Sequence, residues 1–185
     1  MGHPAKVAEF TAPDYLAWEN ARTDKNEFLR GEVFAMVGAT RRHVTVAGNV
    51  FRLLSNALEG SSSRAYISDM KLRIEAADAF FYPDVLVTCD AKDHQSETYM
   101  VSAVLIVEVL SPSTEAYDRG EKFAAYRKVP TLREYLLIDP VSRRIEIYRA
   151  GTEGQWVLTE VNSNGTLSLS SVDIEVPVQQ LFENV

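Results

Sequence analysis

Two stretches decide how this chain is read: Tyr82-Pro83-Asp84-Val85-Leu86-Val87-Thr88 and Val104-Leu105-Ile106-Val107-Glu108-Val109-Leu110. Both are short apolar runs rich in β-branched residues, the pattern of buried strands. Each carries one carboxylate where carboxylates are expensive. An ionised side chain among Val, Leu and Ile must be paired or bind a cation, because unpaired burial costs several kcal/mol or forces protonation. If the two strands pair antiparallel about a loop centred near Ser96, Val85 faces Val107 and Asp84 faces Glu108. Directly opposed residues share a face of the sheet, with Cα atoms about 5.5 Å apart or less. Two carboxylates that close repel unless a cation sits between them.

The surrounding chain predicts an α/β domain. Pro13 to Ala21 reads as a helix, and Glu27 to Val37 as a strand around Gly31. Arg41 to Leu58 repeats apolar residues at helical spacing, namely Val44, Ala47, Val50, Phe51, Leu54 and Leu58, and is expected to be a long amphipathic helix. Gly60-Ser61-Ser62-Ser63 ends it. Arg64 to Ile74 follows as a strand bent near Asp69, ahead of the two carboxylate-bearing strands.

Pro112 stops the second of these, and Ser113 or Thr114 can cap a helix running to about Val129. Gly120 is awkward inside it, costing about 1 kcal/mol relative to Ala, so a start with Asp118 as N-cap and Glu121 three residues later fits better. Strands are expected at Arg133 to Ile138, Arg143 to Tyr148 and Gln155 to Val161, and a short helix at Val178 to Phe182. The order of elements predicts a mixed central sheet flanked by helices, with additional C-terminal strands.

The 185 residues, 46% of them hydrophobic, suffice for one substantial core, and a single domain over residues 1–185 is expected. The formal charge of −7 argues against holding nucleic acid by general electrostatics. It does not argue against a metal-dependent nuclease, whose carboxylates hold the cation that meets the phosphate. The single Cys89 excludes an internal disulfide and a multi-cysteine zinc site, and is expected to be a small buried hydrophobe. No apolar run reaches the length of a membrane span and the start lacks a signal-peptide layout, so a soluble, cytoplasmic protein with no membrane partner is expected. No Gly-rich phosphate loop or paired CxxC motif is present.

An oxygen-only ligand pair favours Mg²⁺ or Mn²⁺ over zinc. Such an ion retains waters and accepts phosphate oxygens, which suits phosphodiester hydrolysis, and a nearby Lys would orient the water or stabilise developing charge. On spacing alone a structural reading stands equally. Asp84 could cap a turn after Pro83, and Glu108 could pair with an Arg.

The segments Tyr82-Pro83-Asp84-Val85-Leu86-Val87-Thr88-Cys89-Asp90 and Val107-Glu108-Val109-Leu110-Ser111-Pro112-Ser113-Thr114, with Asp118, Lys122 and Tyr126 beyond them, resemble the Uma-two family of endonucleases found in cyanobacteria and other bacteria. The similarity continues through Lys122-Phe123-Ala124-Ala125-Tyr126-Arg127 and Glu134-Tyr135-Leu136-Leu137-Ile138-Asp139-Pro140, and begins early at Tyr15-Leu16-Ala17-Trp18, Glu27, Gly31-Glu32 and His43. The resemblance implies the PD-(D/E)XK restriction-endonuclease-like fold and a metal-dependent DNA-cleaving site. Asp84 matches the aspartate of the Pro-Asp motif and Glu108 the second acidic ligand, while the position expected to carry lysine carries Leu110.

The residue matching a lysine moved to the following helix is Lys122, within reach of the metal if Asp118 caps that helix. A local ion pair with Asp118 would also explain Lys122. Glu27 matches the family's early acidic residue and would complete the metal shell or bind through water; a surface glutamate at a strand start is the plainer reading. His43 would contact phosphate or poise a water, or bond locally at its helix end. Tyr126 would orient Lys122 or serve as a core aromatic. Lys71, on the strand before the Pro-Asp segment and sharing a face with Asp69, is the second candidate for the missing lysine. Arg41, Arg42, Arg119, Arg127 and Lys128 would form a basic rim or an ordinary solvated surface.

Two functions follow. The first is a Mg²⁺- or Mn²⁺-dependent endonuclease acting on DNA, with Asp84 and Glu108 on the cation and Lys122 assisting the attacking water; homodimerisation would suit cleavage of both strands. The second is a catalytically degenerate nuclease fold that binds nucleic acid or a protein partner, favoured by Leu110.

Overall fold

The computed structural model describes residues 10–185. The N-terminal start, read above for a signal peptide, lies outside them. Helix α1 (Ala12–Glu19) is opened by a capping box between Thr11 and Asp14. A tight hairpin follows, β1 (Asn26–Leu29) and β2 (Glu32–Ala35), whose two-residue turn places Arg30 and Gly31 at positive φ of 49° and 88°. Positive φ at both central residues gives the turn the twist that matches its strands. Helix α2 (Arg41–Ala57), capped by Thr40, then turns Val46, Ala47, Val50 and Leu54 inward.

The strands β3 (Arg64–Ile67), β4 (Lys71–Ile74), β5 (Ala79–Phe81), β6 (Val85–Thr88), β7 (Tyr99–Met100) and β8 (Leu105–Val109) follow. A helical segment comes next, α3 (Glu115–Tyr117), a π-helical turn (Asp118–Lys122) and α4 (Phe123–Tyr126). The chain closes with β9 (Glu134–Ile138), β10 (Ile145–Ala150), β11 (Trp156–Val161), β12 (Thr166–Leu169), β13 (Ile174–Pro177) and α5 (Val178–Leu181).

A six-stranded sheet in the order β11-β10-β9-β8-β6-β3 forms the centre, and β8 and β9 are its parallel pair. A five-stranded sheet, β2-β1-β5-β4-β7, and the β12-β13 pair complete the architecture, a mixed α/β fold with C-terminal strands. The central sheet is apolar on both faces. Val85, Val87, Val107 and Val109 pack with Val46, Val50 and Leu54 of α2, while Leu86, Ile106 and Leu110 pack with Phe81, Phe123 and Tyr126. Strand alternation therefore puts Asp84 and Glu108 on the second face, toward the π-turn segment.

The register of β6 against β8 sets Val85 opposite Val107 and Leu86 opposite Ile106, as the sequence predicts. Four expectations change. The bent strand Arg64 to Ile74 is two strands in different sheets, broken at Ser68 with φ of 42°. The strand Glu27 to Val37 is the β1-β2 hairpin. Asp118 does not cap a helix, because its φ of −64° and ψ of −40° are helical and its amide donates to Thr114 O at 2.9 Å. Cys89 is exposed rather than buried, its thiol against Ser63 Oγ at the end of β6, where the chain leaves the sheet.

Candidate active site

The Pro-Asp segment enters β6 so that Asp84 sits where β6 meets the C-terminal end of β8. Its Oδ2 accepts the Val109 amide at 2.7 Å, and its own amide makes a long contact of 3.4 Å to Glu108 Oε2. Asp84 and Glu108 thus stand together as the register requires. His43, in the first turn of α2, places Nε2 3.0 Å from Asp84 Oδ1, a hydrogen bond when the imidazole carries its proton on Nε2.

The other end of Glu108 is held from the helical segment. Lys122 Nζ donates to Glu108 Oε1 at 3.1 Å, and Tyr126 Oη donates to the same oxygen at 2.7 Å. Lys122 also reaches Glu27 Oε1 at 2.9 Å and Asp118 Oδ1 at 3.8 Å, with its ammonium over the Phe81 ring. Glu27, on β1, accepts the Tyr82 amide at 3.0 Å. The site therefore joins the two larger sheets to the π-turn segment. That turn buries both Asp118 and Lys122, which an uninterrupted α-helix would rotate differently about the axis.

These contacts place each residue singled out by sequence. Glu27, His43, Asp84, Glu108, Asp118, Lys122 and Tyr126 converge. Tyr126 is a core aromatic, and its hydroxyl bonds Glu108 rather than Lys122. Lys71 stands apart, with Nζ 3.5 Å from Asn20 Oδ1 and over the Tyr82 ring. Leu110 is buried in the core cluster that includes Tyr126. Arg119 is engaged with Glu115 and Glu146 and does not join the site. The amides of Tyr82 and Val109, and the Phe81 ring, complete the constellation without a sequence signal, since a backbone donor is the same in every residue.

Burial pushes the Glu108 carboxyl well above its ordinary range, against the pull of Lys122 and with the push of Asp84, Asp118 and Glu27. Burial also raises Asp118, opposed by Lys122. Desolvation alone would lower Lys122, but Glu108, Glu27 and Asp118 outweigh it and hold the ammonium. One ammonium thus faces Glu27, Glu108 and Asp118, with Asp84 beyond, and cannot neutralise them all. A second cation, or a proton, resolves the excess.

The donor set fits a hydrated divalent ion in part. Lys122 and Tyr126 occupy Glu108 Oε1 and leave Oε2 on the Asp84 side. Among the described residues no group of three or more His, Cys, Asp or Glu side chains could hold a metal ion. A cation here would rest on two carboxylates with water filling the remaining positions, the mode Mg²⁺ uses. The way in is at Asp84 and His43, whose side chains are 16% and 17% exposed while Glu108 and Lys122 are 5% and 7%.

A mixed sheet flanked by helices thus carries a Pro-Asp aspartate, a glutamate on the neighbouring strand and a lysine between carboxylates. A crystal structure of a "putative nuclease belonging to DUF820" from Anabaena variabilis superposes with a TM-score of 0.77, covering 93% of this chain and 97% of that one at 14% identity, a likeness of fold. Two proteins of Synechocystis are similar in sequence. Uncharacterized protein slr1290 is 34% identical over 98% of this chain and 95% of its own length, and uncharacterized protein sll1609 is 36% identical over 89% and 94%. Residues 12–179 match the model of the Uma2 family, described as "Putative restriction endonuclease". The chain belongs to the Uma2 family.

Proposed function

We propose that the chain, as one domain, is a divalent-metal-dependent endonuclease that hydrolyses phosphodiester bonds in DNA, with Mg²⁺ or Mn²⁺ held by Asp84 and Glu108. The observation that carries this reading is the excess of carboxylates around a single ammonium, beside an opening at Asp84 and His43. A bound ion would supply an activated water and offset the charge that develops on the phosphate. Val109 N–H and His43 fix Asp84, while Tyr126 and Lys122 fix Glu108, so both carboxylates are held before substrate arrives. The Lys122 ammonium is buried against Glu108, placed to assist the attacking water or stabilise the phosphorane. His43, on the open side, is suited to contact substrate phosphate or a water.

The reading is tested by cleavage of supercoiled and linear DNA with Mg²⁺ or Mn²⁺, using folded wild type, Asp84→Ala, Glu108→Ala and Lys122→Ala. The expected result is metal-dependent nicking reduced at least about a hundredfold in all three, the scale of lost acid–base and electrostatic assistance. A second reading, a non-catalytic nuclease fold that binds nucleic acid or protein, is favoured by the ion pairing of Lys122 with both Glu27 and Glu108. DNA binding without cleavage by metal-loaded wild type would select it.

A further inference from the structure

Lys71 lies outside the carboxylate cluster, yet its ammonium is buried and poorly partnered. The β4-β5 register sets Leu72 opposite Phe81, so the next pair along the ladder is Lys71 and Tyr82, two residues before Asp84. Lys71 Nζ stands 5.3 Å from the centre of the Tyr82 ring, and among the described residues its one hydrogen bond is a marginal 3.5 Å to Asn20 Oδ1. The residue is 8% exposed, and an ammonium has three donors to satisfy. Glu19 attracts it but spends its oxygens on the Asn26 amide, Asn26 Nδ2 and the Tyr82 hydroxyl, at 2.8, 3.1 and 2.9 Å. Burial lowers the pKa of Lys71 against that pull. Holding an ammonium in this state costs free energy, which an anion arriving at Nζ would offset. A second ammonium shares the ring. Lys25 Nζ is 5.9 Å from its centre, 2.7 Å from Asp69 Oδ1 and 3.5 Å from the carbonyl of Ser68, whose amide donates to Asp84 O at 3.1 Å. Asp69 is 85% exposed, and a surface ion pair of this kind is weak enough to exchange for another anion. Asn20 is likewise exposed, so its contact with Lys71 can open at the surface.

We propose that Lys71 and Lys25 form a phosphate subsite, which holds a nucleic-acid backbone phosphate next to the one at Asp84 and Glu108. The inference rests on the endonuclease reading above and adds how the strand is gripped. Tyr82 and Asp84 are two residues apart, at most about 7.6 Å between Cα atoms. A strand lying across Tyr82 therefore reaches both the two ammonium groups and the opening at Asp84 and His43. The chain as a whole carries a charge of −7 and repels a polyanion. Two lysines beside the carboxylates supply attraction only where the strand must lie. Phosphate contacts of this kind position a strand without reading its sequence.

The test is the salt dependence of oligonucleotide binding, by fluorescence anisotropy with Ca²⁺ as the divalent ion and gels to confirm intact DNA, for wild type, Lys71→Met, Lys25→Met and Lys92→Met. Lys92, exposed on the loop after β6 and at the far end of that strand from Asp84, gives the same change in net charge away from the subsite. Each lost phosphate contact is expected to flatten the slope of log affinity against log salt by about 0.9 on duplex or about 0.7 on single strands. Lys71→Met and Lys25→Met are each expected to show this change, with affinity about tenfold weaker on every sequence. Lys92→Met is expected to keep the wild-type slope. Because Lys71→Met removes a poorly partnered ammonium, its urea midpoint is expected to hold or rise; a purely structural lysine would lower the midpoint and leave the slope alone. Lys25→Met, at the surface, carries the test if Lys71→Met does not fold. Wild-type slopes in both subsite variants, an equal loss in Lys92→Met, or wild type that binds no oligonucleotide overturns the proposal. Binding is read without cleavage, so the two readings fail separately. A lysine-dependent slope in wild type that never cuts DNA with Mg²⁺ or Mn²⁺ would sink the endonuclease reading alone, and cleavage with unchanged slopes would sink the subsite alone.

Discussion

Glu108 concentrates the chemistry of this protein in one side chain: one oxygen is bonded by Lys122 and Tyr126, and the other faces Asp84. Its raised pKa has a direct consequence for stability. The folded state keeps a proton that the unfolded chain releases near the ordinary carboxyl value of 4.5, so this contribution is complete below that value and is lost as pH rises through the folded one. In chelator, the melting temperature of wild type is expected to fall as pH rises above the ordinary carboxyl value, and that of Glu108→Gln to fall less. Asp118, shifted the same way, leaves a residual slope. Equal slopes would contradict the assignment. Tyr126→Phe keeps the ring in the core but removes the bond to Glu108, and is expected to cost about 1–2 kcal/mol in urea unfolding. An unchanged midpoint would show the hydroxyl bond to be idle.

The helical segment between β8 and β9 shows what sequence patterns reach and what they miss. Lys122 and Tyr126 were singled out through resemblance, and the helical segment sets both against Glu108. The π-turn was not legible, since a widened turn leaves no compositional mark, and Asp118 therefore reads as a cap when it is a buried helical residue. Gly120 was the one hint of irregularity, yet it is exposed and a Cβ there meets nothing within 4 Å. Gly120→Ala is accordingly expected to raise stability by about 0.5–1 kcal/mol through helix propensity and unfolded-state entropy. A loss of stability in thermal or urea unfolding would mean that the turn depends on the glycine itself.

On the scale of the whole molecule, taking the loop between the two carboxylate-bearing strands as centred near Ser96 is what set their register, and with it the meeting of Asp84 and Glu108. The switch of the chain between sheets at Ser68 stayed hidden, because β3 and β4 have the same strand composition on either side of it. Lys71 reads as a candidate for the missing lysine only while the two are taken as one strand. Glu27 was found through resemblance, and its role becomes physical once the five-stranded sheet is seen to abut the central one at Tyr82. Among the described residues no helix is long and apolar enough to cross a membrane.

The proposed endonuclease activity requires that Asp84 and Glu108 hold a divalent cation. The most direct measurement is a Mn²⁺ binding isotherm, by calorimetry and electron paramagnetic resonance, on folded wild type, Asp84→Asn and Glu108→Gln. One saturable site per chain is expected in wild type, weakened at least about tenfold in each variant, or roughly 1.4 kcal/mol. Undiminished binding in both variants, or no site in wild type, would contradict it.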